Sequence, residues 1–506
     1  MTSSSWFDRA LLSVAPSFAL SRLRAQSAGR AIMNYDAATS GRRGQSWRPS
    51  ASDADGAAGK RSRLAQVSRD MVRNTPFATR GKAVIVANVI GDGIIPAVQG
   101  ASQRVKARGL ELIRAHLDTT AIDADGRCNL YGLQKLAFGA MVESGEALIR
   151  RRRRRAEDKL PLPFQLQLLE SDHLDTAKYG RVGGTENYIR EGIEYDALGR
   201  RIAYHLFRDH PGSSVSGRSF RNRLISDRVP ASEVIHLYRQ DRPGQMRGVT
   251  WFAPVALRLQ DLADYQDAHL MRQKVAACFS AFRTSLEDDP NATDPDPRDI
   301  ATKLAPGLIQ RLTPGESIVF AEPPGVDGYA DFSRGVAREV AAGLGITYEA
   351  LTGDLSTVNF SSARMGRMEM DRNISDWQHL LAVPVMMDRL ADWFLDAWEM
   401  TDGLPRRPRL AWTPPRRVLV DPTKELPAMG EAVRLGFQSR SSVIRSLGYD
   451  PETVTAEIAA DNKEADRLGL GFDSDGRRPK SGGAGATRAE DRPITEIEDE
   501  SETRER

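Results

Sequence analysis

Cysteine is nearly missing from this chain. Cys128 and Cys278 are the two in 506 residues, too few for a disulfide framework, and neither lies in a CxxC pair. A reducing setting such as the cytoplasm fits that usage best. An excess of either charge is missing too. Seventy-one Lys and Arg against 68 Asp and Glu leave a formal net charge of +3, which argues against a tight nucleic-acid clamp while leaving room for weak contact. Long apolar runs are also lacking. "AVIVANVI" (83–90) is far shorter than the ~20 residues of a membrane-spanning helix. "ALLSVAPSFAL" (10–20) is broken by Pro16 and leads into "SRLRAQSAGRA", not a small-residue cleavage site, so no secretion signal and no membrane association are expected.

Catalytic and nucleotide-binding patterns are equally scarce. "DGAAGKRS" (55–62) has Ala54 where a phosphate-binding loop needs its first Gly. "GDGIIP" (91–96) carries Pro96 inside a would-be dinucleotide fingerprint, and "GSSVSG" (212–217) has Ser216 where a nucleophile elbow needs Gly. The seven histidines are scattered, and His205 and His210 read as strand or turn residues. The acidic stretch "EDDPNATDPDPRD" (287–299) lacks the Gly and Glu of a calcium loop and reads as solvated. The expectation is therefore no catalytic residue, no metal and no cofactor.

The length allows roughly two to four domains. Residues 36–62, rich in Gly, Ser and charge, read as an arm around Trp47, and the stretch from Asp473 onward as an acidic tail. Neither can bury enough surface to offset its ordering entropy. Between them lies a mixed α+β region. "PFQLQLLES", "GRRIAYHLF" and "SEVIHLYR" read as strands within 160–250. Residues 252–282 place Val255, Leu259, Leu262, Val275, Phe279 and Phe282 at helical spacing and read as one long helix. "GLIQRLTPGESIVFAEPP" (307–324) reads as two strands around a Pro-Gly turn, and "FSRGVAREVAAGLG" (332–345) as a helix with Phe332, Val336 and Val340 on one face.

Residues 351–361 form a soft polar loop ahead of one of the longest helical segments. That segment, capped by Ser361 or Ser362, runs to about residue 400 with Ile374, Trp377, Leu381, Met387, Leu390, Phe394 and Trp398 on one face. Pro384 predicts a disturbance inside it. The sharpest charge feature is Arg150–Arg155 within "IRRRRRRAED" (149–158). On a strand these alternate, three to a face, which suits an exposed edge or turn, or contact with phosphates or with an acidic neighbouring surface.

Several stretches together resemble the lambda-type portal proteins of tailed phages. They are "YDAATSGRRGQSWRP" (35–49), "SRDMVRNTPFA" (68–78), "NVIGDGIIP" (88–96), "GEALIRRRRR" (145–154), "PLPFQLQLLESDHLD" (161–175), "LTPGESIVFAEP" (312–323) and "GLGITYEALTGDLSTVNFSSAR" (343–364). They occur in order over most of residues 20–400. Asp92 stands where Thr is usual and Phe360 where Tyr is usual.

The resemblance implies an α+β portal-type subunit: an arm over 1–60, a wing over 61–250, a stem helix over 251–285 and a clip over 286–330. A second stem helix over 331–350 and a tunnel loop over 351–361 follow. A kinked helix with a wing return (362–424), a crown (425–472) and a tail (473–506) complete it. It implies a homo-oligomeric ring, a homododecamer, at one capsid vertex, through which double-stranded DNA is packaged and ejected. In such a ring much of the apolar stripe on 252–282 would be buried between neighbouring subunits. Terminase at the clip, the major capsid protein and a head-tail connector would be its partners. Its place would be the virion, and the host cytoplasm during assembly.

Thr352, Asp354, Ser356, Thr357 and Asn359 would then face DNA weakly and without sequence preference, because no Lys or Arg stands between 351 and 361 and tight phosphate pairing would trap a moving duplex. Arg150, Arg152, Arg154, Arg364 and Arg367 are candidates for DNA or intersubunit contact. The alternatives are a metal-dependent nucleic-acid-processing enzyme with dispersed carboxylates and a capsid or adaptor protein without a channel.

Overall fold

The computed structural model describes residues 52–56, 60–214, 225–278, 282–285, 316–319, 328–356, 358–404, 406–415, 419, 421–472 and 477. The apolar stretch 10–20, Trp47, Phe279, the loop 287–299, the Pro-Gly turn of 307–324 and Thr357 lie outside them, as does the tail beyond Arg477. The chain divides into two units, Met1–Ala58 with Arg242–Met246, and the rest. In the first, the Asp55 carboxylate accepts from the Met246 amide at 3.1 Å, and Arg242 reaches the Asp53 carbonyl at 3.3 Å.

The second unit opens with helices α1 (Arg61–Asn74) and α2 (Pro76–Val89). Pro76 starts α2 where its missing N–H costs nothing. The chain continues through strand β1 (Ile95–Gln99), helix α3 (Gln103–Leu112), which widens into a π turn over Ile113–Leu117, and helix α4 (Leu130–Ser144). Asn129 caps α4 by accepting from the Gly132 amide. Strands β2 (Glu146–Arg153), β3 (Phe164–Glu170) and β9 (Val234–Tyr238) form an antiparallel sheet in the order β3-β2-β9. A second antiparallel sheet, β4-β5-β6-β7-β8, runs over Gly180–Arg181, Tyr188–Arg190, Ile193–Tyr195, Arg201–Phe207 and Ser226–Pro230. The three expected strands are thus present as β3, β7 and β9.

Helix α5 spans Ala256–Cys278 and α6 Tyr329–Leu344. Between them β10 (Phe282–Ser285) pairs antiparallel with β11 (Glu316–Val319). Two expected boundaries therefore move. The helix expected over 251–285 does not fill that span. Residues 251–255 are turns, because Pro254 disfavours helix at Ala253 and the Thr250 hydroxyl takes the Phe252 amide at 3.2 Å. Residues 282–285 are strand and partner β11, while 307–315 of the expected strand pair lie outside the described residues.

The stripe expected between neighbours is corrected over its first half, while the side chains of Val275, Phe279 and Phe282 lie outside the described residues. Val255, Leu259 and Leu262 are buried within the single chain, in the core that also holds Val340 and Leu344. Gly343 makes the approach possible, since a Cβ there would meet Val255 Cγ1 at 2.3 Å. Val336 and Val340 are buried as the spacing predicts, whereas Phe332 is partly exposed beside Tyr265.

Gly345, with φ of +72°, stops α6, so the helix expected over 331–350 ends at Leu344. A separate short helix α7 covers Tyr348–Thr352, with Thr347 as its cap. Helix α8 (Phe360–Asp376) passes into a π-helical segment, Trp377–Met387, which contains Pro384, and then into α9 (Asp388–Asp402). The π turns are how the chain accommodates a proline without an N–H inside a long helix. The expected apolar face is buried from Ile374 to Trp398, with Trp377 partly so. Strand β12 (Arg409–Thr413) returns to pair antiparallel with β1. Helices α10 (Pro422–Arg434), α11 (Arg440–Ser446) and α12 (Pro451–Leu468) follow. No helix among the described residues is long and apolar enough to cross a membrane.

Candidate functional site

The polar segment between α7 and α8 is shorter and better anchored than its composition suggests. Leu351 and Thr352 belong to α7, and Leu351 is buried. The loop proper is 353–359. Gly353, at φ +74°, closes α7 by donating to the Glu349 carbonyl at 2.8 Å. The Thr352 hydroxyl donates to the Tyr348 carbonyl at 2.9 Å and accepts from the Asp354 amide at 3.1 Å. Asp354 accepts from the Ser356 hydroxyl at 2.6 Å, the Ser356 amide at 3.0 Å and the Tyr348 hydroxyl at 3.0 Å. Ser356, followed by Tyr348, holds the Asp354 carboxyl below its usual range. Asp, Ser and Thr are residues whose side chains bond the backbone two positions on, which is why a sequence poor in apolar anchors still gives a defined turn.

At the far end Asn359, not Ser361 or Ser362, caps α8. Its side chain accepts from the Ser362 amide at 2.8 Å, while the Ser362 hydroxyl accepts from the Asn359 amide at 3.2 Å. Between these fixed ends Leu355 and Ser356 are exposed. Behind the loop, Arg80 of α2 donates to the Ala350 carbonyl at 3.1 Å and Asn373 of α8 to the Gly345 carbonyl at 3.0 Å. On α8 itself Arg364 is exposed, Arg367 pairs with Asp371 at 3.0 Å, and Arg372 lies 3.8 Å from Glu369.

The arginine run begins inside a sheet: Arg150 is paired on both sides, whereas Arg151–Arg153 pair with β3 alone. Strand β2 is the middle strand, paired with β3 along Ala147–Arg153 and with β9 along Glu146–Arg150. The apolar half, "EALI", is buried on both sides, and the arginines occupy the end where β9 has stopped. Alternation then separates them. Arg151 forks onto Glu233 at 2.7 and 3.0 Å, reaches Asp396 at 3.2 Å and lies 5.4 Å over the Trp393 ring. Arg153 joins it on Glu233 at 2.7 Å. Arg150 and Arg152 point to the other face, where burial and the neighbouring Arg152 charge lower the Arg150 pKa. Arg154 donates to Gln165 at 2.7 Å. A cleft of about 580 Å³ opens between Arg151, Arg153, Arg154, Phe164, Trp393 and Met400.

Sequence reasoning missed a buried ionic cluster. Glu146, the first residue of β2, accepts from Arg247 Nε at 2.9 Å and the Gly248 amide at 3.1 Å, and lies 2.9 Å from His236 Nε2. Arg247 also reaches Glu191 at 3.1 Å, which takes Arg61 of α1 at 2.8 Å. Burial would raise the Glu146 pKa, but the Arg247 charge and the bonds from His236 and Arg247 outweigh it and hold the carboxyl far below the usual range. A glutamate opening an otherwise apolar strand was the available signal. Its partners lie about a hundred residues away, so spacing could not reveal them.

Glu170, Asp172 and His210 bring three ligand atoms within 4.8 Å of one another. The Arg69 guanidinium already sits there, bonded to Asp172 and 3.2 Å from Glu170.

The profile of the family described as "Phage portal protein, lambda family" matches residues 40–378. The probable portal protein of Halomonas phage phiHAP-1 is 27% identical over 440 residues, covering 80% of this chain and 81% of that one. Portal protein B of Escherichia phage lambda is 21% identical over 324 residues, covering 57% of this chain and 60% of the other. Among solved structures, a chain in the neck of a native gene transfer agent particle aligns with a TM-score of 0.45 and 16% identity, covering 78% of this chain and 94% of that one. The chain therefore belongs to the lambda family of phage portal proteins, structural components of the virion and not enzymes, which form the channel for DNA packaging.

Proposed function

We propose that copies of this chain close into a ring, a homododecamer, at one capsid vertex, with residues 353–359 of every copy facing the shared axial opening. The observation that carries this reading is a loop without Lys or Arg whose two ends are tied by hydrogen bonds while Leu355 and Ser356 stand exposed. A polyanionic duplex passing such a loop meets small polar groups and one carboxylate. No phosphate is neutralised, and the duplex can slide. Helix α8, braced through Asn373 and Asn359, transmits force from the loop to the subunit body. DNA would leave by the same opening at ejection.

In this reading the β10–β11 pair belongs to the clip, where a separate terminase subunit supplies the ATPase that this sequence lacks a phosphate loop for. The wing faces the major capsid protein, and a head-tail connector seals the opposite path. Arg150, Arg152, Arg154, Arg364 and Arg367 serve subunit or DNA contacts. The test is the pair Leu355→Lys and Ser356→Lys in assembled particles. Packaging should slow and become salt-dependent with the heads otherwise intact, and an unchanged packaging rate would overturn the assignment of the loop.

A further inference from the structure

Residues 421–472 form three helices with almost no core of their own. Pro451 is the one residue there that is buried. Leu426, Leu435, Leu468 and Phe472 are each at least half exposed, and Phe437 is 79% exposed. A helical segment with this much uncovered apolar surface needs a partner. A cleft of about 740 Å³ lies on α12, with Ile458, Leu468, Leu470 and Phe472 on its apolar side and Arg440, Asp461, Asn462, Glu464 and Arg477 on its mixed-charge polar side.

The charges are divided within the segment. Helix α12 carries Glu452, Glu457, Asp461, Glu464 and Asp466 against Lys463 and Arg467, whereas 434–445 holds Arg434, Arg440 and Arg445 with no acidic residue. Glu464 pairs with Arg467 and Arg434 with Glu431. Among the described residues Arg440, Arg445, Glu457 and Asp461 have no ion pair within the chain.

We infer that a second copy of this chain covers this surface, Phe437 of one copy entering the α12 cleft of the next while its Arg440 and Arg445 face the neighbour's Glu457 and Asp461. One copy presents both the projecting side chain with basic flanks and an apolar cleft on α12, the helix that carries Glu457 and Asp461. A head-to-tail contact between identical chains therefore satisfies both. The inference rests on the ring reading above and assigns a specific contact within it.

The experiment uses the full chain and measures the assembled fraction by sedimentation. Two variants are compared with the unaltered chain: Arg440→Glu with Arg445→Glu, and Glu457→Lys with Asp461→Lys. All four positions are solvent-facing, and circular dichroism checks the fold. Each variant alone should assemble about tenfold or more weakly, because like charges then meet at every contact. An equimolar mixture should recover assembly, since alternating copies restore opposite charges at each junction. Phe437→Ser should weaken assembly without rescue by either charge variant. Normal assembly of each charge variant, or no recovery on mixing, overturns this contact and leaves the ring reading intact. An unaltered chain that never assembles overturns the ring reading and the contact with it.

Discussion

The Tyr348 hydroxyl donates to the Asp354 carboxylate at 3.0 Å, joining the short helix before the loop to the loop's acidic residue. Tyr348→Phe should leave overall stability unchanged while loosening 353–359, read as a fall in the fluorescence anisotropy of a dye on Leu355→Cys. Acid should act in the same direction. Asp354 has a depressed pKa in the folded chain, so its ordering contribution is complete above the ordinary carboxylate pKa and is lost as pH falls through the folded value. Anisotropy that ignores both the substitution and acid would show that Asp354 does not organise the loop.

Glu146→Ala should lower the stability of the folded chain by about 3–5 kcal/mol, because Arg247 and His236 would be left buried without their shared carboxylate. The midpoint of urea unfolding is the readout. A shift below about 1 kcal/mol would mean that water or Glu191 takes over the role of Glu146.

His116 is fully buried against the Phe164 ring, whose centroid lies 5.0 Å away. Burial pushes its pKa from 6.5 down to about 4. The unfolded chain therefore binds a proton that the folded chain refuses between those values. The His116 contribution to stability should be complete above about 6.5, fall as pH drops towards 4 and level off below, by roughly 3 kcal/mol in all. His116→Leu should remove this part of the pH dependence. An unaltered pH profile in that variant would contradict the assignment.

Gly343→Ala should destabilise the α5–α6 contact by roughly 1–3 kcal/mol, since the added methyl meets Val255 Cγ1. Val255→Ala should recover part of the loss in the double variant. Additive losses in thermal unfolding would show that the two positions do not compete for the same space.

Local signals made much of this fold legible. The alternation in "PFQLQLLES" and the stripe from Ile374 to Trp398 are short-range patterns, and both elements appear where the patterns lie. Boundaries failed where side-chain hydrogen bonds decide them: Asn359 caps α8 ahead of the serines, and Thr250 with Pro254 delays α5. The pairing of 282–285 with 316–319 and the Glu146–Arg247 cluster depend on contacts between distant residues, which periodicity does not encode. In the loop, polar composition suggested weak anchoring, yet the same residues supply the hydrogen bonds that anchor it.

Electron cryomicroscopy of the ring assembled from the full chain tests the channel reading most directly. Residues 353–359 of every copy should line the narrowest part of the axial opening, with α8 running outward behind them. Finding that loop on the outer rim, or enclosed within a single subunit, would contradict the proposed function.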